Sequence, residues 1–351
     1  MGVLSSVRLE SWIAIMITLM ACFTRLSMAA GQVFYVIAIL LSIFYIWKHR
    51  HDLYIPSYVK KYSKTFALML LLLLPSAVLT NNMAVGLPEF INVWLWRIPV
   101  FFVIALCIRD KKTLFTMLAV FFVDFGIDNL VAFYQHVSGM TDRGWGFGSS
   151  VLTISGLMVM LVPIFCVILL DSAFPNYVKV SALWALGCVG FGMYGNQSRG
   201  SWLFSMIMVP IVSLPYILKR FIYVVVVLAA LGGVVWGFST QPQYVARFES
   251  ITNTTTDGSN LGRFDVWTSS INMFKDHPVT GVGIGQWRTK YEKFYRLPTE
   301  NQHLYHAHNN FIQLLSEVGI LGLLGVLIFY GSIVVDNLVT WIKKRDPYSL
   351  C

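Results

Sequence analysis

The sequence predicts an all-α polytopic membrane protein, and three observations carry that reading. Of 351 residues, 56% are hydrophobic and only 12% charged, where a soluble domain carries about a quarter charged residues. Apolar runs of roughly 18 or more residues recur along the chain, each long enough to cross a ~30 Å hydrocarbon core as a helix. The stretches between them alternate in charge, as connectors on opposite sides of a bilayer do.

Taken in order, ten crossings are expected near residues 11–28, 31–47, 65–81, 90–108, 113–132, 149–170, 179–195, 201–217, 221–239 and 310–341. The first has the alternative reading of a signal peptide, because Arg8 precedes it and the small residues Ser27, Ala29 and Ala30 follow. The second connector holds Lys48, Arg50, Lys60, Lys61 and Lys64, the fourth Arg109, Lys111 and Lys112, and the eighth Lys219 and Arg220. With these basic connectors and both termini in the cytoplasm, 15 of the 26 Lys and Arg lie inside. The short external connectors and external helix halves hold only Arg25, Arg97, Arg143 and Arg199. The net charge of +9 is therefore a mark of orientation and excludes a polyanionic partner such as nucleic acid.

Three parts follow: crossings one to nine in residues 1–239, a large external loop at 240–307, and residues 308–351 with the last crossing and a cytoplasmic C-terminus. A polar loop of that length is usually functional. It is expected to contain a helix between Gly262 and Pro278 with Trp267, Ile271 and Phe274 on one face. The five cysteines form neither a disulfide framework nor a metal spacing.

The residues able to do chemistry are few. Arg199, in Asn196-Gln197-Ser198-Arg199-Gly200, stands at a junction between two crossings, where an arginine either snorkels to the interface or binds a ligand. Arg97 falls inside the fourth crossing and needs a partner or a polar cavity; Asp124 and Asp128, four apart on one helix face, and Glu317 are the candidates. Arg247 and Arg263 lie in the loop. Arginine's planar fork grips phosphate oxygens in two places, so several facing one cavity would fit a phosphorylated ligand. Gly281-Val282-Gly283-Ile284-Gly285 is no dinucleotide site, since no βαβ unit surrounds it. His303, His306 and His308 cluster just before the last crossing without a carboxylate among them. That pattern favours a neutral general base over a metal site. Asn309 fits a helix N-cap.

These residues resemble the O-antigen ligase and polymerase superfamily of bacterial inner-membrane glycosyltransferases. The ligase signature is His, then Asn, Ser or Gln, nine residues, Gly, two more, and Gly, Thr or Tyr; here it reads His308, Asn309, Asn310 to Val318, Gly319, Ile320, Leu321, Gly322. Ser198-Arg199 matches a pair placed at a periplasmic helix junction, and Gly262-Arg263 an arginine that opens the loop helix. The likeness covers roughly residues 190–325. Relatives commonly carry about a dozen helices, so a chain ending at Cys351 is expected to be a shorter member or a truncated product.

The resemblance implies a GT-C-like membrane glycosyltransferase with its active site facing the periplasm. It would transfer undecaprenyl-diphosphate-linked polysaccharide to a sugar hydroxyl of lipid A-core, with inversion and without metal or other cofactor. His308 is then the catalytic base and Arg199 and Arg263 hold the diphosphate. Arg247, Arg97, His306, Asn309 and Glu317 are further residues with a substrate or structural role. O-antigen polymerase, with a second lipid-linked repeat unit as acceptor, is the alternative. A polysaccharide or lipid transporter comes third, disfavoured by the lack of repeated halves.

Overall fold

The computed structural model describes residues 2–80, 82–148, 150–217, 258–298, 300 and 304–344, with 232, 240, 242, 245 and 246 between. The described residues are helical and contain no strand. The helices are α1 (Gly2–Leu26), α2 (Met28–Lys48), α3 (Ser57–Val78), α4 (Met83–Phe90), α5 (Pro99–Cys107), α6 (Lys111–Val137), α7 (Val151–Leu170), α8 (Asn176–Asn196), α9 (Arg199–Ile217), α10 (Gly258–Asp276), α11 (Trp287–Lys290) and α12 (Asn310–Lys344). Eight described spans are long and apolar enough to cross a membrane, and each coincides with an expected crossing. The eighth expected crossing is met by α9, which is not among those eight spans. The ninth, at 221–239, lies almost entirely outside the described residues, as do Arg247 and His303.

The chain divides into two compact units. The first comprises Met1–Leu53, Val103–Ile251 and Thr340–Cys351. Within it α6 packs on α8, α1 on α2, and α7 on α8 and α9. Its core is built from Phe122, Phe125, Met158, Phe165, Val178, Ala182 and Ala185, with the Phe122 and Phe165 rings edge to face at 4.8 Å. Between membrane helices, close van der Waals packing replaces the hydrophobic drive, so small residues belong where backbones approach. Gly192 and Gly195 fill that role on α8: added Cβ atoms would lie 2.1 Å from Asn129 Oδ1 and 2.8 Å from the Ala132 carbonyl oxygen.

This unit overturns one expectation. Asp124 and Asp128 are indeed on one face of α6, but they pair with Arg25 at the end of α1, Nη1 lying 2.8 Å from Asp128 and Nη2 reaching Asp124. The Arg25 side chain is buried and packs 5.6 Å from the centroids of Phe121 and Phe125. Hydropathy places residues by depth only, and at one depth any two helices of a bundle are equally eligible partners.

The second unit comprises Tyr54–Phe102 and Thr252–Val339. Met69, Leu73 and Ala77 of α3 pack with Phe90, Ile284, Val318, Val326 and Phe329. Here the fourth crossing is interrupted. After α4 the chain makes a π turn over Ile91–Leu95 and bends at Trp96 to Ile98 before α5 starts at Pro99. Proline lacks the N–H for the preceding turn and pushes the residue before it out of the helical region, so the break falls at Ile98-Pro99. Arg97 therefore sits exposed at a bend and not within a continuous helix.

The last crossing is interrupted too. Gly319 adopts φ 64°, ψ −168° inside α12, a conformation essentially reserved for glycine. The break frees backbone groups that must find partners away from water, and the Gly281–Gly285 run supplies them. Val282 N donates to Ser316 O (2.9 Å) and Gly283 N to Glu317 O (3.0 Å), while Ile320 N donates to Pro278 O (2.9 Å). The approach is so close that a Cβ on Gly319 would lie 2.4 Å from Val279 O, and one on Gly281 2.4 Å from the Glu317 carbonyl. The glycines with no nucleotide to bind thus serve the helix break.

Candidate active site

The signature loop enters α12 through three fixed residues. Ala307 is fully buried; its N–H donates to Gln313 Oε1 (2.8 Å) and its carbonyl accepts from Trp267 Nε1 of α10 (2.8 Å). Asn309 caps α12 as expected, Oδ1 accepting from Phe311 N (3.0 Å) and Ile312 N (3.2 Å). Between these anchors His308 is held at φ 53°, a left-handed conformation costing about 1–2 kcal/mol for a side-chain-bearing residue. Such strain persists where surrounding bonds enforce it, and functional sites are where it collects. With Ala307 drawn inward, His306 and His308 are both exposed, their ring centroids 4.1 Å apart.

Lost hydration first, then His306 and the Arg263 guanidinium, hold the His308 pKa down to about 4. The imidazole is consequently neutral at pH 7, with a lone pair open to a proton, and the charge of Arg263 acts on it directly. Arg263 itself is half-buried, and its Nη1 donates to Asn260 Oδ1 at 3.4 Å. Among the described residues no carboxylate forms an ion pair with it. The helix carrying it is described from Gly258, four residues before the expected start, so Arg263 lies within it and does not open it. The buried face of α10 is also offset from the expected one. Val266, Ser269, Ser270 and Met273 are buried whereas Ile271 is 40% exposed, because the small Ser270 lets Trp287 close in, Nε1 donating to Ser270 Oγ at 3.2 Å.

Glu317 does not serve as an ion-pair partner for Arg97. Its carboxylate accepts from Gly285 N and from Gln313 Nε2 (2.9 Å), and its own carbonyl takes the hydroxyl of Ser76 (3.0 Å). Gln313 thereby links the signature loop to the helix break: one end holds Ala307, the other Glu317. Sequence reading passed over Gln313, although its position four residues after Asn309 and four before Glu317 places all three on one helix face.

Arg199 lies in the first unit, at the first position of α9, half-buried. Gln197 just before it is the other described non-glycine residue with positive φ, at 55°. The approach to Arg199 is tied down by Asn196, fully buried, whose Nδ2 donates to Gly144 O (2.9 Å) and Val151 O (3.0 Å) while Arg143 Nε donates to its carbonyl (2.9 Å). Both left-handed side-chain-bearing residues therefore fall at motif elements.

Residues 182–327 match the family model described as O-antigen ligase; no curated protein matches the chain. The matched span runs from α8 past the break in α12 and contains Arg199, Arg263 and His308.

Proposed function

We propose that this chain, a multi-pass membrane protein whose residues 182–327 match the O-antigen ligase family model, belongs to that superfamily and is the ligase itself. In this reading it is an inverting glycosyltransferase of the bacterial inner membrane that works on the periplasmic side. The donor is a polysaccharide on undecaprenyl diphosphate and the acceptor a sugar hydroxyl of lipid A-core. The observation that carries the reading is His308, neutral and exposed in an enforced conformation, under the field of an arginine that no described carboxylate neutralises.

The chemistry follows from those two groups. The acceptor oxygen attacks the anomeric carbon as its proton passes to the free imidazole nitrogen of His308, and the bond from that carbon to the diphosphate oxygen breaks with its electron pair going to the diphosphate. Arg263 binds that diphosphate through its fork and offsets the charge that builds on it. With a pKa near 4 His308 is a weak base in the empty site. A bound diphosphate cancels the Arg263 charge and raises the basicity of the imidazole, so the base is strengthened only when donor is present. Arg199 is assigned to the same diphosphate by the resemblance alone, and Arg199→Lys tests it: the charge stays and the fork goes, so transfer should fall.

A strain lacking the gene decides between ligase and polymerase. Accumulation of full-length polymer on carrier lipid, with bare core, is the ligase outcome. Core bearing single repeat units would make the protein the polymerase.

A further inference from the structure

Residues 287–296 set one face inward and another outward. Trp287 and Tyr291 are buried and stacked, centroids 4.8 Å apart at 13°, in one cluster with Ala307. Arg296 turns in as well, Nη2 donating to Glu300 O at 2.9 Å. Arg288 and Lys293 are exposed and Lys290 is half-buried; within 287–296 the one carboxylate is Glu292, which takes Arg288 Nε at 3.1 Å. Two aromatic rings stand among these cations. Phe294 is 71% exposed with Lys290 Nζ 5.6 Å from its centroid, and Tyr305 is 57% exposed with the Arg288 guanidinium 4.0 Å away. The segment also contains a π turn, Tyr291–Tyr295, a distortion frequent at functional sites.

We propose that Arg288, Lys290, Lys293, Phe294 and Tyr305 form the docking surface for the phosphorylated saccharide headgroup of the glycolipid acceptor. The proposal rests on the ligase reading and names the part of the acceptor that this face recognises. Phosphate groups suit the cations, and the exposed rings of Phe294 and Tyr305, each already carrying a cation, offer apolar surface to a pyranose ring. The location fits too: Tyr305 precedes His308 by three residues, a separation of at most about 11 Å between Cα atoms, so a sugar or two separates the bound phosphate from the hydroxyl that reacts. The shared cluster around Ala307 ties the face rigidly to the catalytic loop. An anionic bilayer offers phosphate too; two separate exposed rings among the cations suit a saccharide headgroup, and the titration below distinguishes the two.

The test uses the full chain in nanodiscs of zwitterionic lipid, titrated with lipid A-core in its native form and after dephosphorylation with aqueous hydrogen fluoride. Wild type should bind the native form more tightly. Lys290→Glu with Lys293→Glu should weaken that binding about tenfold, leave the dephosphorylated form and the donor unaffected, and be reversed by arginine at both positions. An equal loss on both forms, no loss, or an equal loss on phosphatidylglycerol nanodiscs would overturn the proposal, the last by making the face a general anchor to anionic bilayers. Wild type that binds neither form removes the ligase reading and this surface with it, whereas normal binding by the double variant removes the surface alone.

Discussion

Arg25 in the first unit and Arg263 in the second are both arginines at least half withdrawn from water, and they differ in what faces them. Two carboxylates meet Arg25, with Asp128 1% exposed, whereas Arg263 meets the neutral amide of Asn260. A guanidinium in low dielectric is held at several kcal/mol above its hydrated state until compensated. The charge of Arg25 is compensated within the fold by these two carboxylates. Among the described residues no carboxylate pairs with Arg263, and its charge acts on His308. Withdrawal of an arginine from water therefore says little about function; the carboxylates around it say more.

The comparison can be broken most severely at His308. His308→Ala should lower transfer about 10²- to 10⁴-fold, the usual worth of a positioned base, with insertion and melting temperature unchanged; near-normal turnover in a reconstituted assay would remove the base. Next comes Arg25→Met, which strands two carboxylates and should cost about 3–5 kcal/mol, read as lost thermal stability in detergent. Adding Asp124→Asn and Asp128→Asn should restore most of it, since the structural role needs neutrality, not charge. Gly319→Ala tests whether the signature glycine serves the helix break. Its φ of 64° and the 2.4 Å approach to Val279 O predict a loss of about 1–3 kcal/mol by the same measurement.

The smallest expected effect is in the pH profile. His308 with a pKa of about 4 loses its lone pair only as pH falls through that value, so the acidic limb of kcat/KM for donor should lie near pH 4. The limb of kcat, set in the donor complex, should lie somewhat higher, because Arg263 is the smallest of the causes that depress the imidazole. Coincident limbs would mean that the diphosphate does not relieve the Arg263 field.

Much of this was legible from sequence. Crossing helices are written in the length of apolar runs, and the His308 to Gly322 spacing marks the candidate site. The Asn309 cap followed from residue type. What escaped were pairings between distant segments. Nothing local to Gly319 announces that residues 278–283 fill its break, and nothing in hydropathy selects Arg25 for Asp124 and Asp128. The interruption at Arg97 is a different case, for Ile98-Pro99 signals it and apolar length concealed it. Gln313 is marked only by its spacing, since an amide that ties a backbone N–H to a carboxylate has the same sequence signal as one facing solvent.

The most direct measurement is donor affinity in Arg263→Gln, with Arg25→Lys as the matched substitution in the other unit. Undecaprenyl diphosphate titrated into the purified chain in nanodiscs should bind Arg263→Gln at least about tenfold more weakly at an unchanged melting temperature. Arg25→Lys should lose stability and bind normally once folded. Equal donor affinity in wild type and Arg263→Gln would contradict the account.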